Sequence, residues 1–258
     1  MSPYLASITL YPFKSLDGQD VEEAVVLRNA GLRHDREYCL LDESGVALST
    51  KRLGAALVCI RSEVNFAFGE ITLQDGNGGR TFRLERDGKE IEEWFASRLG
   101  QNVKLARDSE RGFPDDHDAS GPTVISTATL EEAGSWFGLD VDEARRRFRA
   151  NLEIGGVPPF WEDRLFGCAG ETVRFHIGDV AFDGVNPCAR CAVPSTDSRS
   201  GEIPEPHFAK LFAAKRRARL PAWAEKTRFD HFYRLSVNTR VPESEAGKEL
   251  SVSDEVEL

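Results

Sequence analysis

The sequence predicts a β-rich α+β chain rather than alternating βαβ units, and three observations carry that expectation. Many apolar residues fall in short runs of Val, Ile, Leu and Tyr broken by turn formers, the signature of strands joined by tight connections. Only a few segments show helical periodicity, and they do not alternate regularly with the strands. A polar, Pro- and Gly-containing segment at 108–122, DSERGFPDDHDASGP, interrupts the chain. It divides the expected organisation into a domain at 1–108 and a second at 109–258. A chain of 258 residues is long enough for both to bury a core.

Taken in order, strands are expected at 4–11, 22–28, 37–41 and 57–64, with Asp42-Glu43-Ser44-Gly45 as a hairpin connection. Residues 75–79, DGNGG, read as a loose loop before a strand at 81–85. Ile91, Trp94, Phe95 and Leu99 recur at helical spacing, so a helix fits 90–99 and Gly100 can end it. Thr129 and Glu132 have capping-box spacing for a helix reaching about Phe137, stopped by Gly138. A charged helix fits 141–148. Strands follow near 151–155, 172–182, 231–240 and 249–258. Phe208, Leu211 and Phe212 mark the apolar face of a helix over 206–219. IGDVAF at 177–182 and VSDEVEL at 252–258 echo one another as two similar turns of a barrel.

Composition narrows the class of function. A formal charge of −10 argues against nucleic acid as a main partner, because phosphate contacts need a basic surface. The local cluster Lys215, Arg216, Arg217 and Arg219 is expected to be a solvated helix face. The N-terminus has neither a basic region nor a long apolar run, so no secretory signal is expected. No apolar run approaches the ~20 residues that cross a bilayer. Five cysteines, at 39, 59, 168, 188 and 191, are odd in number and scattered, which fits a reducing cytoplasm better than a disulfide framework.

Residues 186–197, NPCARCAVPSTD, hold two of those cysteines three apart. A redox dithiol would place the motif at the start of a helix, whose dipole activates the thiol. Here Pro194, Ser195, Thr196 and Asp197 make a loop instead. A structural zinc site needs four ligands. There is no second C-x-x-C, and the histidines at 34, 117, 176, 207 and 231 form no close pair. An iron–sulfur cluster fails for the same reason. Two readings stay open: ordinary cysteines in a barrel loop, or a thiolate favoured by Arg190 and suited to a soft metal.

Three further stretches could hold an anion. Lys14 and Ser15 close the first strand and offer a point charge plus a hydroxyl. Arg33, His34, Asp35 and Arg36 precede another strand, where an aspartate can fix an arginine fork. Arg149 and Asn151 follow the helix at 141–148 and, two residues apart in an extended entry, share a face. Taken alone, Lys14 also reads as a solvated loop lysine, the 33–36 stretch as surface or structural ion pairs, and the basic residues ending the helix as partners of its dipole.

Together these stretches resemble the MOSC superfamily, the molybdenum-cofactor-sulfurase C-terminal domain proteins with an N-terminal β-barrel partner. YPFKS at 11–15 is similar to the family's Y-P-x-K-S, and GLRHDREY at 31–38 to its G-L-x-x-D-R-x-W. FRANLEI at 148–154 resembles F-R-x-N followed by an apolar run, and FWED at 160–163 an acidic stretch of bacterial members. NPCARCAVPSTDSRSGE resembles the block C-x-R-C-x-x-T-x-x-D-x-x-T-G, the most specific of the series. The resemblance implies a MOSC-type β-barrel with flanking helices, preceded by a smaller N-terminal barrel-like domain. Within the family, the chain resembles the amidoxime-reducing components of mitochondria and their bacterial counterparts.

What the resemblance implies can be carried over residue by residue. A molybdopterin-type molybdenum cofactor would be held with its metal on Cys191, the second cysteine of C-x-R-C, which makes Cys191 the catalytic residue and Cys188 less essential. Lys14, Ser15, Arg36, Arg149 and Asn151 would contact the cofactor's phosphate and pterin, with Asp118 and Ser120 as weaker matches. Asp197 would brace the cysteine loop. Departures from the pattern are Tyr38, where the family commonly has Trp, and Pro194 and Ser195, which replace a Thr-Thr pair. The implied activity is reduction of N-hydroxylated small molecules in the cytoplasm, with no membrane or nucleic-acid partner. Electrons would come from an external ferredoxin-, flavin- or cytochrome-type protein. The alternative is a non-catalytic carrier of the cofactor or its sulfur.

Overall fold

Buried Leu5, Ile8 and Leu10 make the opening segment a strand that must be covered on one face. Its partner comes from far along the chain. The computed structural model describes residues 2–29 and 31–258. The first half runs β1 (Tyr4–Leu10), β2 (Gln19–Val21), β3 (Glu23–Val25), β4 (Tyr38–Leu41), α1 (Thr50–Leu53), α2 (Ala55–Val58), β5 (Arg61–Asn65), β6 (Glu70–Asp75), β7 (Gly78–Arg83), α3 (Gly88–Leu99) and β8 (Lys104–Arg107). The second half runs β9 (Val124–Ser126), α4 (Thr127–Ser135), α5 (Val141–Phe148), β10 (Leu152–Gly155), β11 (Val173–Ile177), β12 (Val180–Ala189), α6 (Phe208–Ala218), β13 (Arg234–Arg240), β14 (Glu249–Ser251) and β15 (Val256–Glu257). This is the expected β-rich α+β class.

One eight-stranded sheet dominates, in the order β15-β11-β12-β13-β9-β10-β1-β2. β1 lies antiparallel to β10, with Ile8 opposite Leu152, and β10 runs parallel to β9. β3 pairs with β14 through Ala24 and Leu250. The first strands are thus built into the sheet of the second half. Leu5, Ile8, Leu152 and Ile154 are all fully buried there. Burial of each such side chain contributes about 1.5–3 kcal/mol. A second core, under β4–β8, the β5-β6-β7 sheet and α3, contains Phe13, Leu40, Ile71, Leu73, Phe82 and Phe95. A third gathers Phe148, Phe208 and Phe212 beneath α4, α5 and α6.

Several local expectations need correction. DGNGG is the tight turn of a β6–β7 hairpin, and residues 70–75 form a strand whose Ile71 and Leu73 face the core. The expected strand at 57–64 is instead α2 followed by β5. The strand expected at 172–182 folds back at Gly178 into the β11–β12 hairpin. Helix α4 is capped by Ser126, whose side chain accepts from the Thr129 N–H. The Thr129 hydroxyl is spent elsewhere, donating to Glu162 and accepting from the Phe160 N–H at 2.6 Å. On α6, Leu211 is 40% exposed while Arg216 is buried, because 208, 212 and 216 share the inward face. Arg216 therefore leaves the expected solvated cluster and pairs with Asp163.

Three strand ends then define one region. The chain leaves β1 at Tyr11, enters β10 from the α5 cap at Arg149, and leaves β12 after Ala189. Among the described residues, no helix is long and apolar enough to cross a membrane.

Candidate functional site

The hub of this region is the Asp35 carboxylate. It accepts from the Tyr11 N–H at 2.9 Å, from Asn151 Nδ2 at 3.0 Å, and from Arg36 Nη1. Asn151 is itself fully engaged. Its Nδ2 also donates to the Thr9 carbonyl, and its Oδ1 accepts from Arg36 Nη1 at 3.3 Å and from Thr123. The asparagine and the aspartate together fix the arginine fork. Burial opposes the charge of Arg36, but Asp35 and Asp115 outweigh it and raise its pKa.

Arg149 is held differently. It caps α5 with a left-handed backbone (φ 53°) and lays its guanidinium 4.1 Å from the centre of the Tyr11 ring. Among the described residues its side chain has no carboxylate or carbonyl partner. Burial lowers its pKa from the usual arginine range, with the Tyr11 hydroxyl opposing and the Arg36 charge adding to the effect. Arg36 lies 5.3 Å from the same ring, so two guanidinium groups contact Tyr11. Burial pushes the Tyr11 phenol up to about 12, and the ring stays neutral.

Ser15 (φ 72°), Arg36 (φ 51°) and Arg149 share an uncommon backbone state. A left-handed conformation costs a non-glycine residue about 1–2 kcal/mol, and strain of this kind clusters at ligand sites. All three line one cleft of about 810 Å³, a volume typical of cofactor sites. Lys14, Asn151, Asp118, Ser120 and Cys191 line the same cleft. So eight of the nine residues singled out in the sequence converge there. The ninth, Asp197, lies on an adjoining cavity. Its carboxylate accepts from Arg199 N, Ser200 N and Arg147 Nη2, which pins the loop after the cysteines to α5.

The cleft wall carries seven basic side chains against four aspartates, on a chain of charge −10. Sequence motifs did not point to Lys51 and Arg111, which also line it and are exposed. Lys51 enters only because α1 folds against the Ser15 turn, a contact no local pattern reveals. Lys14 is not free: its ammonium meets the carbonyls of Phe113 and Pro114 and the carboxylate of Asp115 at 2.9–3.2 Å.

Cys188 and Cys191 are both unpaired and partly exposed in the cleft. Arg190 contacts Cys188, with Nη1 3.4 Å from its sulfur, and donates to the Phe148 carbonyl. The arginine therefore attends the first cysteine rather than the second. No hydrogen bond reaches the Cys191 sulfur among the described residues. Those residues also hold no group of three or more His, Cys, Asp or Glu side chains arranged for a metal ion. A metal in this cleft would have to bring most of its own ligands. That donor set fits a cofactor presenting a metal to one thiolate while cationic groups hold its anionic end.

Two family models match the chain, the MOSC N-terminal beta barrel domain over residues 2–102 and the MOSC domain over residues 116–257. The chain belongs to the MOSC domain family. The match to the MOSC domain takes in Arg149, Asn151, Asp197 and both cleft cysteines, and the match to the N-terminal domain takes in Lys14, Ser15 and Arg36. Curated relatives of this MOSC protein include the molybdenum cofactor sulfurase of Drosophila grimshawi, 26% identical over 78% of this chain and 29% of its own. That of Caenorhabditis elegans is 26% identical, over 78% and 30%. Molybdenum cofactor sulfurase 1 of Aedes aegypti is 42% identical, over 77% and 30%. The chain spans less than a third of the length of these relatives.

Proposed function

We propose that this protein binds a molybdenum cofactor in the cleft and reduces N-hydroxylated small molecules with electrons from an external donor protein. The observation that carries the reading is the convergence of three strained residues, Ser15, Arg36 and Arg149, with an uncommitted thiol on one cationic cleft. Arg36, oriented by Asp35 and Asn151, and Arg149, stacked on Tyr11, would hold the cofactor's anionic end. Ser15 adds a hydroxyl beside them. Cys191 would supply the protein's single thiolate to the metal. When bound, the cofactor supplies two-electron oxygen-atom chemistry. The chain contributes placement and charge: fixed cations formed before the ligand arrives lose no reorganisation energy on binding. The Asp197–Arg147 pair holds the cysteine loop in place.

A second reading has its own support. The curated relatives are named as sulfurases, and this chain matches under a third of each. A carrier that holds the cofactor or its sulfur without turnover needs the same cleft. A reductase assay separates the two, using cofactor-loaded protein, a chemical electron donor and an N-hydroxylated substrate. Turnover abolished by Cys191→Ala supports the reductase. Cofactor retention with no turnover under any reductant supports the carrier.

A further inference from the structure

The chain that follows Cys191 is tied down over its whole length. Residues 193–195 form a single helical turn, where the Ser195 N–H meets the Ala192 carbonyl and the Thr196 N–H meets the Val193 carbonyl at 3.0–3.1 Å. Further on, the Asp197 N–H donates to the Glu202 carbonyl at 2.8 Å and the Gly201 N–H to the Asp197 carbonyl at 3.0 Å. Ser198 sits inside this loop, and each of its polar groups is committed. Its N–H and its hydroxyl donate to the two carboxylate oxygens of Glu143, a buried residue of α5. The hydroxyl also accepts from Arg146 Nε at 3.0 Å, and the carbonyl accepts from Arg61 Nη1, on β5, at 2.8 Å. A Cβ on Gly201 (φ 72°) would lie 2.4 Å from the Ala55 Cα, so the same loop is pressed onto α2.

Each partner of Ser198 leads to a different piece of the site. Glu143 also holds Arg146 and Arg147 on its own helix, whose C-terminal cap is Arg149. Arg61 pairs with Asp17 at 2.8 Å, and Asp17 is locked to Ser62 through both backbone N–H groups. Asp17 stands two residues beyond Ser15. Three carboxylates, of Asp17, Glu143 and Asp197, thus face three guanidinium groups, of Arg61, Arg146 and Arg147. These charges cancel, so the network is spent on internal ties. We propose that Ser198 is a positioning residue for Cys191: it fixes the thiol's loop to α5 and to the Ser15 turn at once, so that the thiol keeps one spacing from Arg149 and Ser15. Hydrogen bonds to charged groups are the strong ones, and partners behind a metal ligand govern its orientation. The metal part of that role rests on the proposed function, whereas the placement of the thiol does not.

Placement is tested on the cofactor-free full chain by the rate at which iodoacetamide alkylates each cleft cysteine. Trypsin cuts after Arg190, so mass spectrometry reads Cys188 and Cys191 on separate peptides. Ser198→Ala removes the hydroxyl, Ser198→Thr keeps it, and Arg61→Gln loosens the tie from the other half. Cys191 is expected to react about fivefold faster in Ser198→Ala and in Arg61→Gln, as the loss of one hydrogen bond from a closed loop allows. Cys188 is expected to stay at the parent rate in both, and Ser198→Thr to restore the parent rate at Cys191. An unchanged Cys191 rate in either folded variant, or equal acceleration of both cysteines, would overturn the proposal, even where the unfolding temperature falls. Molybdenum per chain from a cofactor-proficient host is expected to drop about tenfold in Ser198→Ala. Faster Cys191 alkylation in a chain whose parent carries no molybdenum would keep the positioning role and remove the metal from it.

Discussion

At the scale of single residues, Asn151 is the most consequential side chain that need not touch a ligand. It is 2% exposed and engages Thr9, Asp35, Arg36 and Thr123. Asn151→Ala would take a donor from the Thr9 carbonyl and the acceptor from Thr123, while Asp35 would keep the Tyr11 N–H and Arg36, and each buried group left unpaired costs about 1–3 kcal/mol. The expected loss of folding stability is about 2–4 kcal/mol in urea titration, together with weaker anion binding because Arg36 loses a partner. A loss near zero would show that the network is slack. The sequence singled out Asn151 with Arg149 as candidate ligand contacts on an extended strand entry, but Arg149 is the left-handed cap of α5, so the shared extended face expected of the two is not formed. The work of Asn151 as an internal tie depends on Asp35 and Thr123, which lie 116 and 28 residues away. Arg190 was likewise legible as a companion of the cysteines, yet which sulfur it reaches depends on how the chain leaves β12.

At the scale of elements, the segment at 113–115 competes with any anion for Lys14. The carbonyls of Phe113 and Pro114 and the Asp115 carboxylate use the ammonium's three donors. Asp115→Asn removes the charged competitor, so inorganic phosphate is expected to bind the cofactor-free chain several-fold more tightly, read by calorimetric titration. Unchanged or weaker binding would mean that Asp115 is no competitor. Elements with strong local signals were legible. Helix α5 has Asp140 as cap, with acidic residues in its first turn and arginines in its last, and its bounds match the expected 141–148. Helix α3 ends at left-handed Gly100 as expected. Strand β6 was missed because EITLQD carries only two inward apolar residues, and its turn looked like an open loop. Leu211 looked inward by its hydrophobicity alone, but the face it occupies is set by Phe208 and Phe212.

At the scale of the whole molecule, stability and site draw on the same long-range order. Glu162 is buried in the turn between β10 and β11. Burial first, and the adjacent Asp163 second, push its pKa up to about 7. The folded state therefore binds this proton more tightly than the unfolded chain does. That contribution is present at low pH and is lost as pH rises from its ordinary value near 4.5 to about 7. The loss is about 1.4 kcal/mol per pH unit at most. Glu162→Gln keeps an acceptor for Thr129 and removes the titration. The difference in unfolding free energy between parent and variant is expected to shift against the parent from pH 5 to pH 7, and a pH-independent difference would refute the assignment. The site motifs at 11–15, 31–38, 148–154 and 186–201 were readable one by one. Their meeting was not, because it follows from β1 pairing with β10 and from the path of the chain out of β12. The central claim, a single-thiolate metal site in that cleft, is tested most directly by molybdenum per chain. The measurement is made by mass spectrometry on parent protein, Cys191→Ala and Cys188→Ala from a cofactor-proficient host. Near-stoichiometric metal in the parent and in Cys188→Ala, with almost none in Cys191→Ala, is the predicted result. Equal loss in the two variants, or metal retained without Cys191, would contradict it.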